Sequence, residues 1–309
     1  MGERKPTRRE VFLQVMEQVI PWDLLIKAIE PYYPKAGPQG GRPAYPIEVM
    51  LRIYFLQNWY GYADLSMEEA LYENEVLRRF AKVRIERIPD ATSLLHFRHL
   101  LEGYGLCVKL FEWVKTYLDS KGLWLKEGTI VDATLIHAPT STKNRNRQRD
   151  PEMHATRKGK QMYFGMKAPI GVDTASGLEH HVLGTAAHVS DVTVVAHHLL
   201  QGDEQEVYAE AGYQGVMKRA EHEHRQVNWQ ICRHRIYGLP GQEQAMLQAH
   251  RFRERAKASL RAKVEHTSCI VKCQFGFRKV QYKGLFKNTA QWFTLFTLAN
   301  LWMVRRHSY

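Results

Sequence analysis

The chain of 309 residues has few cysteines and no apolar run long enough to cross a bilayer. Its cysteines form no CxxC pair, which excludes a disulfide-rich secreted fold and indicates a reducing compartment. The longest apolar stretch, Trp292 to Val304, is interrupted by Thr and Asn and predicts a buried C-terminal helix instead. The first residues, MGERKPTRRE, lack the apolar core of a signal peptide. A cytoplasmic protein without a membrane partner is therefore expected.

Acidic residues are scarce relative to basic ones. The chain has 32 Asp and Glu against 44 Lys and Arg, a formal net charge of +12. An excess of this kind favours a polyanionic partner, and nucleic acid is the leading candidate. The length predicts two domains, and the 44% hydrophobic residues are enough to fill their cores.

The first 122 residues predict an all-α domain. An amphipathic pattern runs from about Arg9 to Ile29, and the segment PYYPKAGPQGGRPAYP then interrupts any regular element. A largely apolar helix follows from Ile47 to about Tyr60, with Pro46 at its entry.

Further helices complete this domain. Ser66 and Glu69 match an S-x-x-E capping box, which predicts a helix from there to about Ala81. Asp90 can cap the next helix, and a last one ends at Gly122. The final pair, joined by a short turn, is compatible either with a helix-turn-helix that exposes Arg98 and His99 to DNA or with a plain helical bundle.

After residue 122 the pattern becomes mixed α/β. A short apolar run, GTIV, precedes Asp132, and the strand-like segments MYFGMKAPIGVD and LEHHVLGTAAHV are joined by the turn TASG. A helix from Ser190 or Asp191 to Leu200, two short strands in EVYA and VNWQIC, and a long helix over roughly residues 243–273 follow. This order is compatible with an RNase H-like core.

Three acids lie where such a core could bring them together. Asp132 follows the first apolar strand, Glu210 follows VYA, and Glu265 lies in the long helix. Carboxylates from distant segments are what two-metal phosphodiester chemistry requires, because divalent ions need hard oxygen ligands. Taken singly, Asp132 could cap a turn and Glu210 could be a solvated loop acid, while Asp173 is expected to be only a turn residue.

The long helix would place Arg261, Glu265 and Lys272 on one face. Their offsets of zero, four and eleven point within roughly 40° of one another in an α-helix. A carboxylate between two cations suits an acid that acts beside a polyanion. The alternative is an ordinary exposed i, i+4 ion pair between Arg261 and Glu265.

Several separated motifs resemble a known family. They are VDATLIHAPTSTKN, FGMKAPIGVDTASG, AGYQG and R-x3-E-x6-K followed by QFGFRKVQYKGLFKN, together with EPYYPKAGPQGGRPAYPIEVMLRIYFLQ near the start. In this order they are similar to the insertion-sequence DDE transposases of the IS-five type. The resemblance spans nearly the whole chain.

The resemblance implies an α/β RNase H-like catalytic domain over residues 123–309, preceded by the all-α domain over residues 1–122. It implies a transposase that binds two Mg²⁺ or Mn²⁺ ions, cleaves DNA at the terminal inverted repeats of a mobile element and joins the 3′-OH ends to target DNA. Pairing two element ends implies a homodimer or higher oligomer on DNA, associated with the nucleoid.

The family pattern assigns roles to individual residues. Asp132, Glu210 and Glu265 are the expected catalytic acids and metal ligands, while Arg261 and Lys272 match the accompanying cations. A basic loop and the hairpin after it are expected to contact DNA phosphates. The cations concerned are Lys143, Arg145, Arg147, Lys158, Lys160 and Lys167.

Two positions depart from the family pattern. Glu210 stands where the second catalytic Asp is usual, and its extra methylene moves the carboxylate by about 1–1.5 Å. Ala258 stands where many relatives have Tyr. The alternatives to an active transposase are therefore a catalytically impaired relic or repressor that binds the element ends without cleaving, and, more remotely, a standalone nuclease.

Overall fold

A computed structural model describes residues 4–35, 43–124, 126, 128–200, 202, 204–222, 226–232 and 244–305. The chain forms two compact units. The first, called here the helical unit, comprises residues 1–120, 273–277 and 293–309, and the second, the catalytic unit, comprises residues 121–272 and 278–292. The helical unit is built mainly from α1 (Arg8–Val19), α2 (Trp22–Ile29), α3 (Ile47–Tyr60), α4 (Asp64–Glu73), α5 (Glu75–Ala81), α6 (Ala91–Gly103) and α7 (Leu106–Ser120).

Several predicted helix boundaries of this unit are confirmed. The helix after Pro46 runs over Ile47–Tyr60 and is almost wholly buried. The carboxylate of Asp90 accepts a hydrogen bond from the backbone N–H of Ser93 at 2.7 Å and caps α6 as predicted. Much of the proline-rich break, residues 36–42, lies outside the described residues.

Other predicted boundaries are wrong. The pattern from Arg9 to Ile29 is two helices, because the chain bends at Ile20 and Pro21. Ser66 is no cap, since α4 already begins at Asp64. The same predicted helix is divided again at Asn74, whose side-chain oxygen accepts from two backbone N–H groups at the start of α5.

Two buried cations of the helical unit, Arg52 and Arg98, form ion pairs within that unit. The guanidinium of Arg52, fully buried, bonds the carboxylate of Glu17, pairs with that of Glu48 at 2.9 Å and lies 3.9 Å above the ring of Trp22. The prediction that Arg98 is exposed for DNA is wrong. Its side chain is 11% exposed and its Nη1 pairs with Asp64 at 2.7 Å.

The catalytic unit contains a mixed sheet. The path of hydrogen-bonded strands is β2-β3-β1-β6-β7, and β4 and β5 pair with β3 beside it. β1 is antiparallel to β3 and parallel to β6, which is parallel to β7. The strands are β1 (Thr129–His137), β2 (His154–Lys158), β3 (Gln161–Asp173), β4 (Glu179–Val182), β5 (Thr185–Ala186), β6 (Glu206–Ala209) and β7 (Asn228–Ile231).

The sheet refines the predicted strands. β1 continues well past Asp132, and β2 lies inside the predicted basic loop. The second hairpin strand is broken into β4 and β5, but the turn before it is confirmed, because Asp173 Oδ2 accepts hydrogen bonds from the N–H and hydroxyl of Ser176. Gly165 has a close contact across the sheet, since a Cβ there would lie 1.9 Å from the Ile136 carbonyl oxygen.

Three helices accompany the sheet: α8 (Asp191–His198), α9 (Gln244–Cys269) and α10 (Leu285–Val304). A π-helical turn, Ile270–Gln274, follows α9 directly. The C-terminal apolar run is confirmed as helix, with its residues 285–292 in the catalytic unit and the remainder in the helical unit. Within the described parts of the chain, no helix has both the length and the apolar character needed to cross a membrane.

Candidate active site

Asp132 on β1 lies beside Glu210, which directly follows the parallel strand β6. Val131 of β1 is the register partner of Ala209, the last residue of β6, so the residues that come next along the two chains are Asp132 and Glu210. Glu210 keeps an extended backbone (φ −73°, ψ 170°) before a short 3₁₀ turn. Neighbouring strands are about 4.8 Å apart, so the two acids are adjacent.

Both acids point away from α8. Val131 and Ala209 pack in a hydrophobic cluster with Val194 of α8. Successive side chains of a strand alternate between faces, so Asp132 and Glu210 project to the opposite face. α9 packs against β1 and β6, and Arg261 of that helix acts electrostatically on Asp132. The two acids therefore face α9.

The environment of Asp132 disfavours its charge. Burial and then the nearby charge of Glu210 raise the pKa of Asp132 to about 6, against the opposing effects of a backbone hydrogen bond from Ala133 and the charges of Arg261 and Lys158. A desolvated carboxylate beside a second one is the arrangement that a bound cation would relieve. Lys158, predicted to contact DNA, thus has its charge within reach of this acid.

Sequence reasoning missed one residue near this pair, Tyr213. Tyr213 is fully buried, and its pKa is raised well above 10 by burial and then by Asp191, Asp132 and Glu210. Its hydroxyl has no hydrogen-bond partner among the described residues. The AGYQG motif contains this tyrosine and was the available signal, but only the tertiary structure relates it to the acids.

The predicted third acid is exposed. Glu265 has a side chain that is 61% exposed, and its Oε1 accepts a hydrogen bond from Arg261 Nη2 at 3.0 Å. A second acid of α9, Glu254, is only 12% exposed and pairs with Lys257 at 3.2 Å. Glu254 and Arg261 both act electrostatically on Cys232, as does Glu210. This helix thus offers two carboxylates with different surroundings.

The predicted common face of Arg261, Glu265 and Lys272 is wrong in one respect. Arg261 and Glu265 lie on α9 and form the ion pair that was the alternative interpretation. Lys272 lies in the π-helical turn, where the residue spacing differs from that of an α-helix. The direction of the Lys272 side chain therefore does not follow from the 100° periodicity of α9.

The acid pair fits a divalent cation. Carboxylate oxygens are the ligands that Mg²⁺ and Mn²⁺ prefer, and the crowding of Asp132 and Glu210 supplies a reason for a cation to bind. Among the described residues, no three side chains of His, Cys, Asp or Glu form a ready-made metal site. Within the described part of the chain, Asp132 and Glu210 thus offer two carboxylates to a cation without a third such side chain beside them.

The basic residues predicted to contact DNA divide into two groups. Lys167 has a structural partner, because its ammonium donates to Asp191 Oδ1 and to the Val189 carbonyl, both at 3.0 Å. The others in the loop and hairpin lie on the surface of the catalytic unit. They are Lys143, Arg145, Arg147, Lys158 and Lys160.

A helical region followed by a mixed sheet with paired acids defines an α/β protein with a candidate phosphodiester-cleaving site. Residues 123–301 match the family model described as Transposase DDE domain, and residues 2–100 match the one described as Transposase domain (DUF772). The chain belongs to the transposase DDE domain family, and the two matches together indicate an insertion-sequence transposase. No solved structure matches it. Transposases bind DNA, and DDE domains generally use divalent metal ions such as Mg²⁺.

Proposed function

We propose that this transposase cleaves DNA at the terminal inverted repeats of an insertion sequence of the IS-five type and joins the freed 3′-OH ends to target DNA. One observation carries the proposal: Asp132 of β1 lies beside Glu210, which directly follows the parallel strand β6, and burial together with the charge of Glu210 raises the pKa of Asp132 to about 6. Paired carboxylates of this kind suit divalent ions and phosphodiester chemistry.

The proposed fold of the catalytic unit is RNase H-like. Support comes from the strand connections: β1, β3 and the β4–β5 region pair antiparallel in sequence order, and β6 and β7 extend the other side of β1 in parallel. In the proposed division, residues 1–122 form the helical DNA-contacting domain and residues 123–309 the catalytic domain.

The acids and cations have separate proposed tasks. Asp132, Glu210 and Glu265 would hold two Mg²⁺ or Mn²⁺ ions, which when bound stabilise the charge on the attacking and leaving oxygens. Arg261 and Lys158 would orient the phosphate, because their charges already reach Asp132. Water first breaks the phosphodiester at the element end, and the released 3′-OH then displaces the target's own 3′ oxygen.

The third ligand is the point that an experiment can decide most directly. Glu265 matches the family motif, whereas Glu254 is the less exposed acid and lies within electrostatic reach of Cys232, as does Glu210. We propose Glu265, whose carboxylate must leave Arg261 to reach the site. Glu265→Ala should abolish nicking of a terminal-repeat duplex in Mn²⁺, and Glu254→Ala should leave it largely intact. The reverse result would transfer the role to Glu254.

Whether the enzyme is active or impaired depends on whether Glu210 can replace the usual aspartate. We propose that it replaces the usual aspartate functionally, since Gly212 beside it leaves the carboxylate free space: a Cβ there would lie 3.3 Å from Glu210 Oε1. Purified protein should therefore nick and join terminal-repeat DNA in Mn²⁺ or Mg²⁺. Nicking by Glu210→Asp but not by the unmodified chain would instead support the relic or repressor.

DNA contact is proposed for the exposed cations of the basic loop and hairpin together with Lys272, in a dimer or larger assembly that pairs two element ends. The cations of the loop and hairpin are Lys143, Arg145, Arg147, Lys158 and Lys160. Lys167 is left out of this surface because Asp191 and the Val189 carbonyl hold its ammonium. Sedimentation with and without terminal-repeat DNA tests the assembly: a protein that stays monomeric on paired ends contradicts it.

A further inference from the structure

A groove of about 590 Å³ lies in the catalytic unit beyond the end of β1. One wall is the loop of residues 138–151, and the other is the segment of residues 280–283. Its lining includes three cations, Arg145 and Arg149 on the first wall and Lys283 on the second. The rest of the lining is rich in amide side chains, which can donate hydrogen bonds to anionic or sugar oxygens.

Backbone hydrogen bonds hold the two walls together. The N–H of Val280 donates to the carbonyl of His137, the last residue of β1, at 2.9 Å. The N–H of Gly284 donates to Asp150 Oδ2 at 2.7 Å. The groove is therefore bounded by fixed backbone on both sides and does not need to form around a ligand, which lowers the entropy cost of binding.

The first wall also has internal order. Asn144 Nδ2 donates to the carbonyl of Gln148 at 2.6 Å, and Asn144 Oδ1 accepts from the backbone N–H groups of Asn146 and Gln148. Arg149 Nε donates to the Thr140 carbonyl at 3.0 Å. These bonds hold the loop backbone while the side chain of Arg145 stays exposed.

The net charge of the groove favours an anion. Its one acid, Asp150, accepts hydrogen bonds from the backbone N–H groups of Gly284 and Glu152, which offset its charge. The cations Arg145 and Lys283 stand on opposite walls. Cations on two sides with amide donors between them are the chemistry that recognises a sugar–phosphate backbone.

The groove also lies at a defined distance from the acid pair. Ala138, which lines it, directly follows β1 and comes six residues after Asp132, and a strand rises about 3.3 Å per residue. Along the direction of β1 the separation is therefore about 20 Å. Base pairs of B-DNA are spaced about 3.4 Å apart, so for DNA that runs along β1 this distance corresponds to about six nucleotides.

We propose that this groove binds the sugar–phosphate backbone of one DNA strand about six nucleotides from the phosphate that is cut. The position rests on the proposed function, because Asp132 marks the cleavage point. The groove would then fix the register of the element end on the catalytic unit.

The first test measures the salt dependence of binding. The probe is a fluorescein-labelled 40-base-pair duplex ending in the terminal inverted repeat, with EDTA present so that cleavage plays no part. Arg145→Ala with Lys283→Ala should reduce the slope of log K against log salt by about two, close to one per lost phosphate contact. The matched control, Arg253→Ala with Arg255→Ala, removes two exposed cations of α9 and should keep the wild-type slope.

The second test locates the contact. Neutral methylphosphonates placed one at a time along the repeat should weaken wild-type binding most at about the sixth phosphate from its outer end, and should have no such effect on the Arg145→Ala, Lys283→Ala protein. Two results overturn the proposal. One is an equal slope of log K against log salt for the Arg145→Ala, Lys283→Ala protein and the wild type. The other is a methylphosphonate effect on wild-type binding that is strongest within two phosphates of the outer end.

The outcome is separable from the cleavage chemistry. Loss of nicking in every protein with the slope change intact would reject the proposed reaction and keep the groove. Normal nicking with an unchanged slope would reject the groove alone. Thermal melting of both double variants at the wild-type temperature excludes misfolding as the cause of a lower slope.

Discussion

In the helical unit the buried guanidinium of Arg52 is matched by the carboxylates of Glu17 and Glu48, whereas in the catalytic unit Asp132 and Glu210 bring two carboxylates together. The first arrangement satisfies a buried charge within the chain. The second leaves like charges adjacent, which costs stability in the free protein. A paired buried charge thus has a structural role, and an uncompensated pair indicates a place for a ligand.

The largest expected effect comes from removing one acid of that pair. Asp132→Asn should lower nicking of terminal-repeat DNA by about 10³-fold or more, because a ligand and a charge beside the reacting phosphate are lost. A gel assay of nicked product measures it, with Asp23→Asn, an exposed acid of α2, as the control. Retained nicking would show that the acid pair is structural after all.

Removing the buried cation should mainly affect folding. Arg52→Ala should lower the free energy of unfolding by about 2–4 kcal/mol, since it deletes a fully buried side chain with two ion pairs and a ring contact. Urea denaturation checks the value. Arg79→Ala is the matched control, because that side chain is 63% exposed and should cost less than about 0.5 kcal/mol. Equal losses would contradict the comparison.

A third carboxylate, that of Glu179, extends the comparison to the pH dependence of stability. Glu179 of β4 is fully buried, and burial raises its pKa to about 8, while the nearby Thr267 hydroxyl acts in the opposite direction. The folded state therefore holds a proton that the unfolded chain releases near pH 4.5. This contribution to stability is full below that pH and is lost as the pH rises to about 8.

Glu179→Gln should remove that pH dependence. Compared with the unmodified protein, the variant should gain up to about 4 kcal/mol between pH 5 and pH 8.5, measured by urea denaturation at each pH. The neighbouring imidazoles of His180 and His181 are present in both proteins, so only the difference between the two curves is used. A constant difference across this range would refute the raised pKa.

The smallest expected effect concerns Tyr213. Its buried hydroxyl has no hydrogen-bond partner among the described residues, so Tyr213→Phe should leave stability unchanged or raise it by about 0.5–1 kcal/mol. Thermal melting measures the effect, and Tyr60→Phe, another tyrosine whose hydroxyl lacks a partner within the described chain, is the parallel case. A clear loss of stability in Tyr213→Phe would mean that the hydroxyl is satisfied in solution.

Local sequence patterns predicted elements well where one interaction dominates. Pro46 at a helix start, Asp90 as a cap and the turn at Asp173 are decided by neighbouring residues, and the structure confirms them. The prediction of Ser66 as a helix cap was wrong because a capping box is compatible with more than one helix start, and α4 begins two residues earlier. The prediction of an exposed Arg98 was wrong because a distant acid, Asp64, pairs with its guanidinium in the folded chain.

The sequence by itself indicated the transposase family through its motifs and most of the order of elements through apolar periodicity, because both are local properties of the chain. The assignment of Asp132, Glu210 and Glu265 as site acids came from the same motifs and stays a prediction. Only the tertiary structure decided that Asp132 and Glu210 are adjacent, that Glu265 is exposed and that Arg145 and Lys283 line one groove. Strand register and helix orientation are fixed by contacts between residues far apart in sequence, and no local pattern contains them.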